Sequence, residues 1–135
     1  MNINHINNST DKILKFDRAL IVHKKWLDMI YSGIKIWEMR SRHTTIRERI
    51  GLIEADTGLV TGTTILVDSL GPLTTNEIQS NTDKHQIQLN DMQHPIPNKW
   101  NHAWVLKDSK KLTAPINYCH PKGAVIWVKF TDINF

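Results

Sequence analysis

A mixed α+β fold organised around a small curled or closed sheet is what the sequence predicts, and three observations carry that expectation. Apolar runs of strand length recur between Ala19 and Phe130, helical spacing is confined to two places, and turns rich in Gly, Pro, Asn or Asp separate the runs. Short strands with helix limited to two insertions suit a barrel-like sheet of five to six strands flanked by two or more short helices. They argue against a doubly wound parallel sheet. The length of 135 residues fits one domain, because a chain of that size buries roughly two-thirds of its unfolded surface. Residues 1–13, rich in Asn and poor in apolar side chains, predict a flexible arm, which leaves residues 14–135 as the domain.

Ala19-Leu20-Ile21-Val22 is a continuous apolar run of strand length. The period then changes: Trp26, Met29, Ile30 and Gly33 fall at i, i+3, i+4 and i+7, which predicts a helix ended at Gly33 by a left-handed turn. Lys35-Ile36-Trp37-Glu38-Met39-Arg40 alternates and predicts a second strand. Ile50–Ile53 and Val60–Val67 predict a hairpin about the turn Asp56-Thr57-Gly58. Thr74-Thr75-Asn76-Glu77 has the spacing of a capping box, with Leu73 and Ile78 placed to staple across it, so a second helix is expected to start at Thr75. Asn81, Thr82, Asp83, Pro95 and Pro97 then predict a long exposed connection. The last strands are expected at Ala103–Leu106 and Gly123–Phe130, separated by a turn at Lys107-Asp108-Ser109-Lys110 and by Pro115 and Pro121.

Apolar residues make up 40% of the chain and charged residues 22%, which excludes a disordered chain, a collagen and a coiled coil. No apolar run approaches the roughly 20 residues needed to span a bilayer, and the start of the chain has no apolar signal core, so a soluble, cytoplasmic protein with no membrane partner is expected. A single cysteine, Cys119, allows no internal disulfide. The net charge of +4 is unevenly placed: residues 1–55 hold ten Lys/Arg against six Asp/Glu, while residues 56–135 hold seven against seven. The excess is a weak pointer to phosphate-bearing partners.

The densest polar cluster runs from Gly33 through Lys35, Glu38, Arg40 and Ser41 to Arg42, His43, Thr44, Arg47 and Arg49. On an extended segment Glu38 and Arg40 lie on one face about 7 Å apart, while Trp37 and Met39 point the other way. Lys35 has the opposite parity and joins them only if the strand proper starts after it. A carboxylate accepts from the exocyclic amine of a base, a guanidinium grips a guanine edge or a phosphate, and an indole offers a stacking face. Spacing alone favours a structural Glu38–Arg40 ion pair on a half-exposed sheet face, with Lys35 solvated.

Trp26, Gly33, Lys35, Glu38, Arg40, Ser41, Thr44 and Arg47 together resemble the signature of the activating signal cointegrator homology (ASCH) domain, a branch of the PUA-like fold. Trp104, Pro115, Tyr118, His120 and Gly123-Ala124-Val125-Ile126-Trp127 are similar to the family's closing strands, and the resemblance spans about residues 18–130. One departure stands out: many relatives have Arg-Gly before the strand that follows the signature, whereas here Arg47 precedes Glu48 and the glycine comes at Gly51. The resemblance implies a PUA-like β-barrel that takes RNA, single-stranded nucleic acid or a nucleoside in a cleft lined by Lys35, Glu38, Arg40, Ser41, Thr44 and Arg47. Lys24, Lys25, Arg42, His43, Arg49 and Tyr118 are expected at its rim. A second class, a small RNA-directed hydrolase, follows from similarity to ASCH amidohydrolases that deacetylate cytidine with a Lys, a Thr and a Glu, and to ASCH ribonucleases. Lys35 and Glu38 would then be catalytic, but Glu38 occupies the position of the amidohydrolase Thr. A third reading is a protein-interaction module.

Other features carry bland expectations. The seven histidines include no pair at i, i+4 on a credible helix, so no metal is expected. No phosphate loop is formed around Gly58 and Gly62, and no cofactor is expected. Cys119 is expected to be a buried, inert thiol. Trp104 and Trp127 read as core, and Trp37 and Trp100 as either core or stacking platforms.

Overall fold

A computed structural model describes residues 15–88 and 99–130. The predicted arm at 1–13 and the prolines Pro95 and Pro97 lie outside the described residues. In chain order the elements are β1 (Arg18–Val22), α1 (Lys24–Ser32), β2 (Trp37–Arg40), β3 (Arg49–Glu54), β4 (Leu59–Leu70), α2 (Thr75–Ser80), α3 (Thr82–His85), β5 (His102–Asn117) and β6 (Trp127–Lys129). They form a six-stranded curled half-barrel in the order β2-β5-β4-β3-β1-β6, in which β1 and β3 are parallel and the other neighbours antiparallel. Among the described residues, no helix is long and apolar enough to cross a membrane.

The curl has a local origin. The β4–β5 ladder shifts register at Val60/Gly62, Thr63/Ile65 and Leu66/Asp68, and β3–β4 shifts at Leu52/Ile53. Each irregularity bends its strand and adds twist, so the long strands wrap rather than lie flat. The concave side then closes over Leu20, Val22, Leu27, Ile30, Ile50, Leu52, Leu66, Trp104 and Leu106. Trp104 stacks on Trp127 at 5.7 Å between ring centroids, and its indole N–H donates to the Arg42 carbonyl at 2.8 Å, so the buried ring leaves no donor unpaired.

α1 lacks a side-chain cap at His23 and has no acid in its first turn, so it is held by packing Leu27 and Ile30 into the core rather than by its ends. Its exit is fixed by Gly33, at φ 87°, whose N–H reaches the Ile30 carbonyl at 3.1 Å. A side chain is disfavoured in that left-handed conformation. α2 carries the reciprocal capping box between Thr74 and Glu77, and Leu73 packs against the cluster that contains Ile78.

The final third differs from expectation. Lys107-Asp108-Ser109-Lys110 is not a turn, because β5 runs through it with Asp108 at φ 52° absorbing the irregularity and Arg49 holding the Asp108 carboxylate. Gly123–Ile126 is not strand, and only Trp127–Lys129 pairs with β1. Thr82–His85 is a short helix inside the predicted loop. Cys119 is exposed rather than buried, because it follows the end of β5 where the chain leaves the sheet. Trp37 is core and Trp100 is exposed.

Gly62 marks the tightest approach in the sheet. A Cβ added there would collide with the Lys110 carbonyl and the Tyr31 ring. Gly62→Ala is therefore expected to lower the urea midpoint by the equivalent of roughly 1–3 kcal/mol, as for overpacked cores. Thr74→Ala, which removes one half of the capping box, costs about 1 kcal/mol. An unchanged midpoint for Gly62→Ala would refute the close-approach account.

Candidate functional site

The site begins at the exit of α1. After Gly33 turns the chain, Lys35 still lies ahead of β2, so the parity of the strand does not bind it and its side chain turns inward. It is 1% exposed. Nζ donates to the His85 carbonyl at 2.6 Å and stands 3.7 Å from Glu38 Oε1 and 4.6 Å from the Trp26 ring centroid. The acceptor carbonyl sits at the last residue of α3. The His85 ring steadies that residue, since its Nε2–H donates to the Ile78 carbonyl at 2.7 Å and its Nδ1 accepts from the Ile87 N–H at 2.9 Å. A neutral imidazole is the form that both donates and accepts. Burial accordingly holds the His85 ring below its ordinary titration range.

Glu38 and Arg40 lie on the same face of β2, as their spacing predicts. Arg40 grips one carboxylate oxygen twice, Nε to Glu38 Oε2 at 3.2 Å and Nη2 to the same oxygen at 2.7 Å. Nη2 also donates to the Ile21 carbonyl at 3.0 Å. That carbonyl lies beyond the β1–β6 ladder, whose next backbone contact is Ile21 N–H to the Ile126 carbonyl at 2.9 Å. Arg40 therefore joins the β2 edge to β1 where β6 diverges. Among the described residues, Glu38 Oε1 has only the long approach from Lys35, and Arg40 Nη1 has no hydrogen-bond partner. The Glu38 carboxylate and the Arg40 guanidinium thus each keep an atom with hydrogen-bonding capacity to spare.

Lys35, Glu38 and Arg40 line one cleft of about 970 Å³, within the range of small-molecule sites. Ile21, Val22 and Met39 supply apolar wall, Trp26 and the 37% exposed Trp100 supply aromatic faces, and Tyr118, His120 and Val125 line it from the segment after β5. Lys25 also lines the cleft. The sequence singled out Lys35, Glu38 and Arg40, which this cleft brings together. It missed His85 as the anchor of Lys35 and His120 as a lining group, because both meet the site across long separations that no local pattern encodes.

Other expected site residues lie elsewhere. The segment after Arg40 crosses to the end of β4 instead of returning to the cleft. His43 bonds Ser69 Oγ and the Gly71 carbonyl, and the Thr44 N–H donates to Ser69 Oγ. The Thr44 hydroxyl accepts from the Ile46 N–H, and Arg47 donates to the Thr44 and Ile46 carbonyls and approaches Asp68. Arg49 is bound to Thr63 and Asp108, and Lys24 to Asp28. Ser41 and Arg42 are exposed and do not line the cleft. Among the described residues, no group of three or more His, Cys, Asp or Glu is arranged to hold a metal ion.

Burial holds the Lys35 ammonium below its ordinary value, with Glu38 pulling the other way. The unfolded chain then binds more protons than the folded one between the lowered value and the ordinary 10.5, so stability rises with pH across that window. Lys35→Met should remove this contribution. Urea unfolding in steps towards pH 10.5 is expected to show the wild type gaining stability relative to the variant. A constant difference across the window would contradict the assignment.

The sequence matches the ASCH domain family over residues 20–133. The ASCH structure from Zymomonas mobilis is similar at a TM-score of 0.62 with 17% identity, covering 74% of this chain and 72% of that one. A serine-to-alanine variant of it gives 0.60 at 20% identity, with 74% and 72% covered. A tyrosine-to-phenylalanine variant gives 0.61 at 20% identity, with 74% of each covered. At such identities the likeness concerns the fold alone. No curated protein is matched by the sequence. Since the family match takes in nearly the whole of both the half-barrel and the cleft-lining segments, the chain belongs to the ASCH domain family.

Proposed function

We propose that this ASCH domain is a nucleic-acid or nucleoside-binding module that takes a base into the cleft beside Lys35, Glu38 and Arg40. One observation carries the reading: the Glu38 carboxylate and the Arg40 guanidinium line the same cleft, an acceptor group and a donor group of the kinds that pair with the edge of a base. Trp100 supports it by giving an aromatic ring to the same cleft, while the Trp26 ring carries the Lys25 and Lys35 ammonium groups. Lys35 fills a supporting role, its charge holding the Glu38 carboxylate while the His85 carbonyl holds the amine. Lys25 adds cationic charge to the lining, where backbone phosphates would run. Arg42, His43, Arg47 and Arg49 form a separate basic stretch that would meet only a longer strand.

Hydrolysis is the second reading, favoured by the lowered proton affinity of the buried Lys35 amine, which suits a base or nucleophile. Against it, the amine is committed to His85 and Glu38, and no Thr stands where the amidohydrolase pattern needs one. The Thr44 hydroxyl is engaged with the Ile46 N–H near β4, outside the cleft.

Fluorescence titration with labelled single-stranded RNA is expected to give saturable binding at low salt that weakens as salt rises. Glu38→Gln keeps the shape but turns part of the acceptor into a donor, so it should change the order of base preference and weaken the favoured base by roughly tenfold. Absence of saturable binding to RNA, DNA and free nucleosides at low salt would leave the protein-interaction reading in its place. Incubation with acetylated cytidine and with RNA, followed by mass spectrometry, is expected to return both unchanged. A released product abolished by Lys35→Met would establish the hydrolase instead.

A further inference from the structure

The cleft has a second polar feature, at the segment that follows β5. Tyr118 Oη lies 2.7 Å from His120 Nδ1, and His120 Nε2 lies 2.8 Å from the Ala124 carbonyl. A carbonyl can only accept, so His120 carries its proton on Nε2, and Nδ1 of the neutral ring is an acceptor. The Tyr118 hydroxyl must then donate to Nδ1. With its one proton committed, the phenol oxygen presents only lone pairs to anything else.

Both residues line the cleft that holds Glu38. The ring of Tyr118 is set by packing on Phe130, with centroids 5.4 Å apart, and its backbone N–H donates to the Gly58 carbonyl at 3.3 Å. Burial raises the Tyr118 hydroxyl above its ordinary value, which keeps the phenol protonated and the relay intact. The Tyr118 oxygen is therefore a fixed acceptor rather than a rotor that could serve either role. Such an acceptor gains nothing from a phosphate oxygen, itself acceptor-only, and gains a hydrogen bond from a hydroxyl. In a nucleic acid the group with that property beside the base is the ribose 2′-hydroxyl, the atom that separates RNA from DNA.

We infer that Tyr118, oriented by the His120–Ala124 relay, is a specificity-determining residue that accepts a hydrogen bond from the ribose 2′-hydroxyl of the bound nucleotide and selects RNA over DNA. This rests on the cleft binding a base, as proposed above. His120 is a positioning residue that acts only by occupying the tyrosine proton.

The test uses short single-stranded oligonucleotides of each base, as ribose, 2′-deoxy and 2′-O-methyl forms, titrated against the full chain. The 2′-O-methyl group keeps an acceptor but has lost the donor. The ribose form is expected to bind roughly three- to tenfold more tightly than the 2′-deoxy form, the worth of one neutral hydrogen bond, and the 2′-O-methyl form no better than the 2′-deoxy. Tyr118→Phe preserves the ring and should bring ribose affinity down to the deoxy level. His120→Ala should shrink the preference, and His120→Asn, whose side-chain carbonyl can replace Nδ1 as acceptor, should restore it. Equal binding of ribose and deoxy forms by the wild type, or a preference that survives Tyr118→Phe, overturns the inference and leaves the base-binding reading standing. If no oligonucleotide of any sugar binds, the base-binding reading fails and this inference falls with it.

Discussion

The arrangement of the cleft depends on a buried charge network that cannot be dismantled piecemeal. Lys35 is enclosed in the wall, and an ammonium removed from water is tolerable only with strong partners. It finds them in the His85 carbonyl and the Glu38 carboxylate. Glu38, itself largely buried, is balanced in turn by Arg40, and Arg40 also reaches the Ile21 carbonyl of β1. Removing one member of such a set strands the charge of another, which costs about 3–5 kcal/mol in comparable buried pairs. The network therefore fixes the distance between the β2 edge and β1, and with it the mouth of the cleft.

That constraint works because the sheet is bent to meet it. A flat sheet in the order β2-β5-β4-β3-β1-β6 would place β2 and β1 four strand spacings apart, roughly 19 Å at normal inter-strand separation. Arg40 bonding to Ile21 at 3.0 Å requires the sheet to curl until these strands approach. The register shifts in β3, β4 and β5 supply the curl, and α1, packed inside it through Leu27 and Ile30, delivers Lys35 to the gap. Packing and electrostatics support each other here: the bend positions the charges, and the charges hold the bend at its open side.

Much of the local structure was legible because it rests on short-range chemistry. Gly33 ends α1 for want of a Cβ, Thr74 and Glu77 cap α2 through reciprocal bonds three residues apart, and Glu38 and Arg40 share a face because strand side chains alternate. The misreadings have the opposite character. Lys107-Asp108-Ser109-Lys110 has turn composition yet continues as strand, since β4 offers a ladder along its length and Arg49 holds Asp108 from another strand. Cys119 lies exposed because β5 ends at Asn117, a boundary set by its pairing with Leu59.

By itself, the sequence determined the α+β class, the exit of α1 at Gly33, the start of α2 at Thr75 and the hairpin, and it singled out Lys35, Glu38 and Arg40 together. Each depends on contacts within a few residues or on a spacing shared with the ASCH family. Only the tertiary structure decided what surrounds that triad: the His85 carbonyl fifty positions away, the Ile21 carbonyl across the curl, and the Tyr118–His120 relay. It also decided that Arg47 and Arg49 are tied to β4 and β5 instead of the cleft. The physical reason is the same in each case. Local periodicity fixes which face a side chain takes on its own element, while the partner on the other side of the cavity is fixed by how far the sheet bends before it closes.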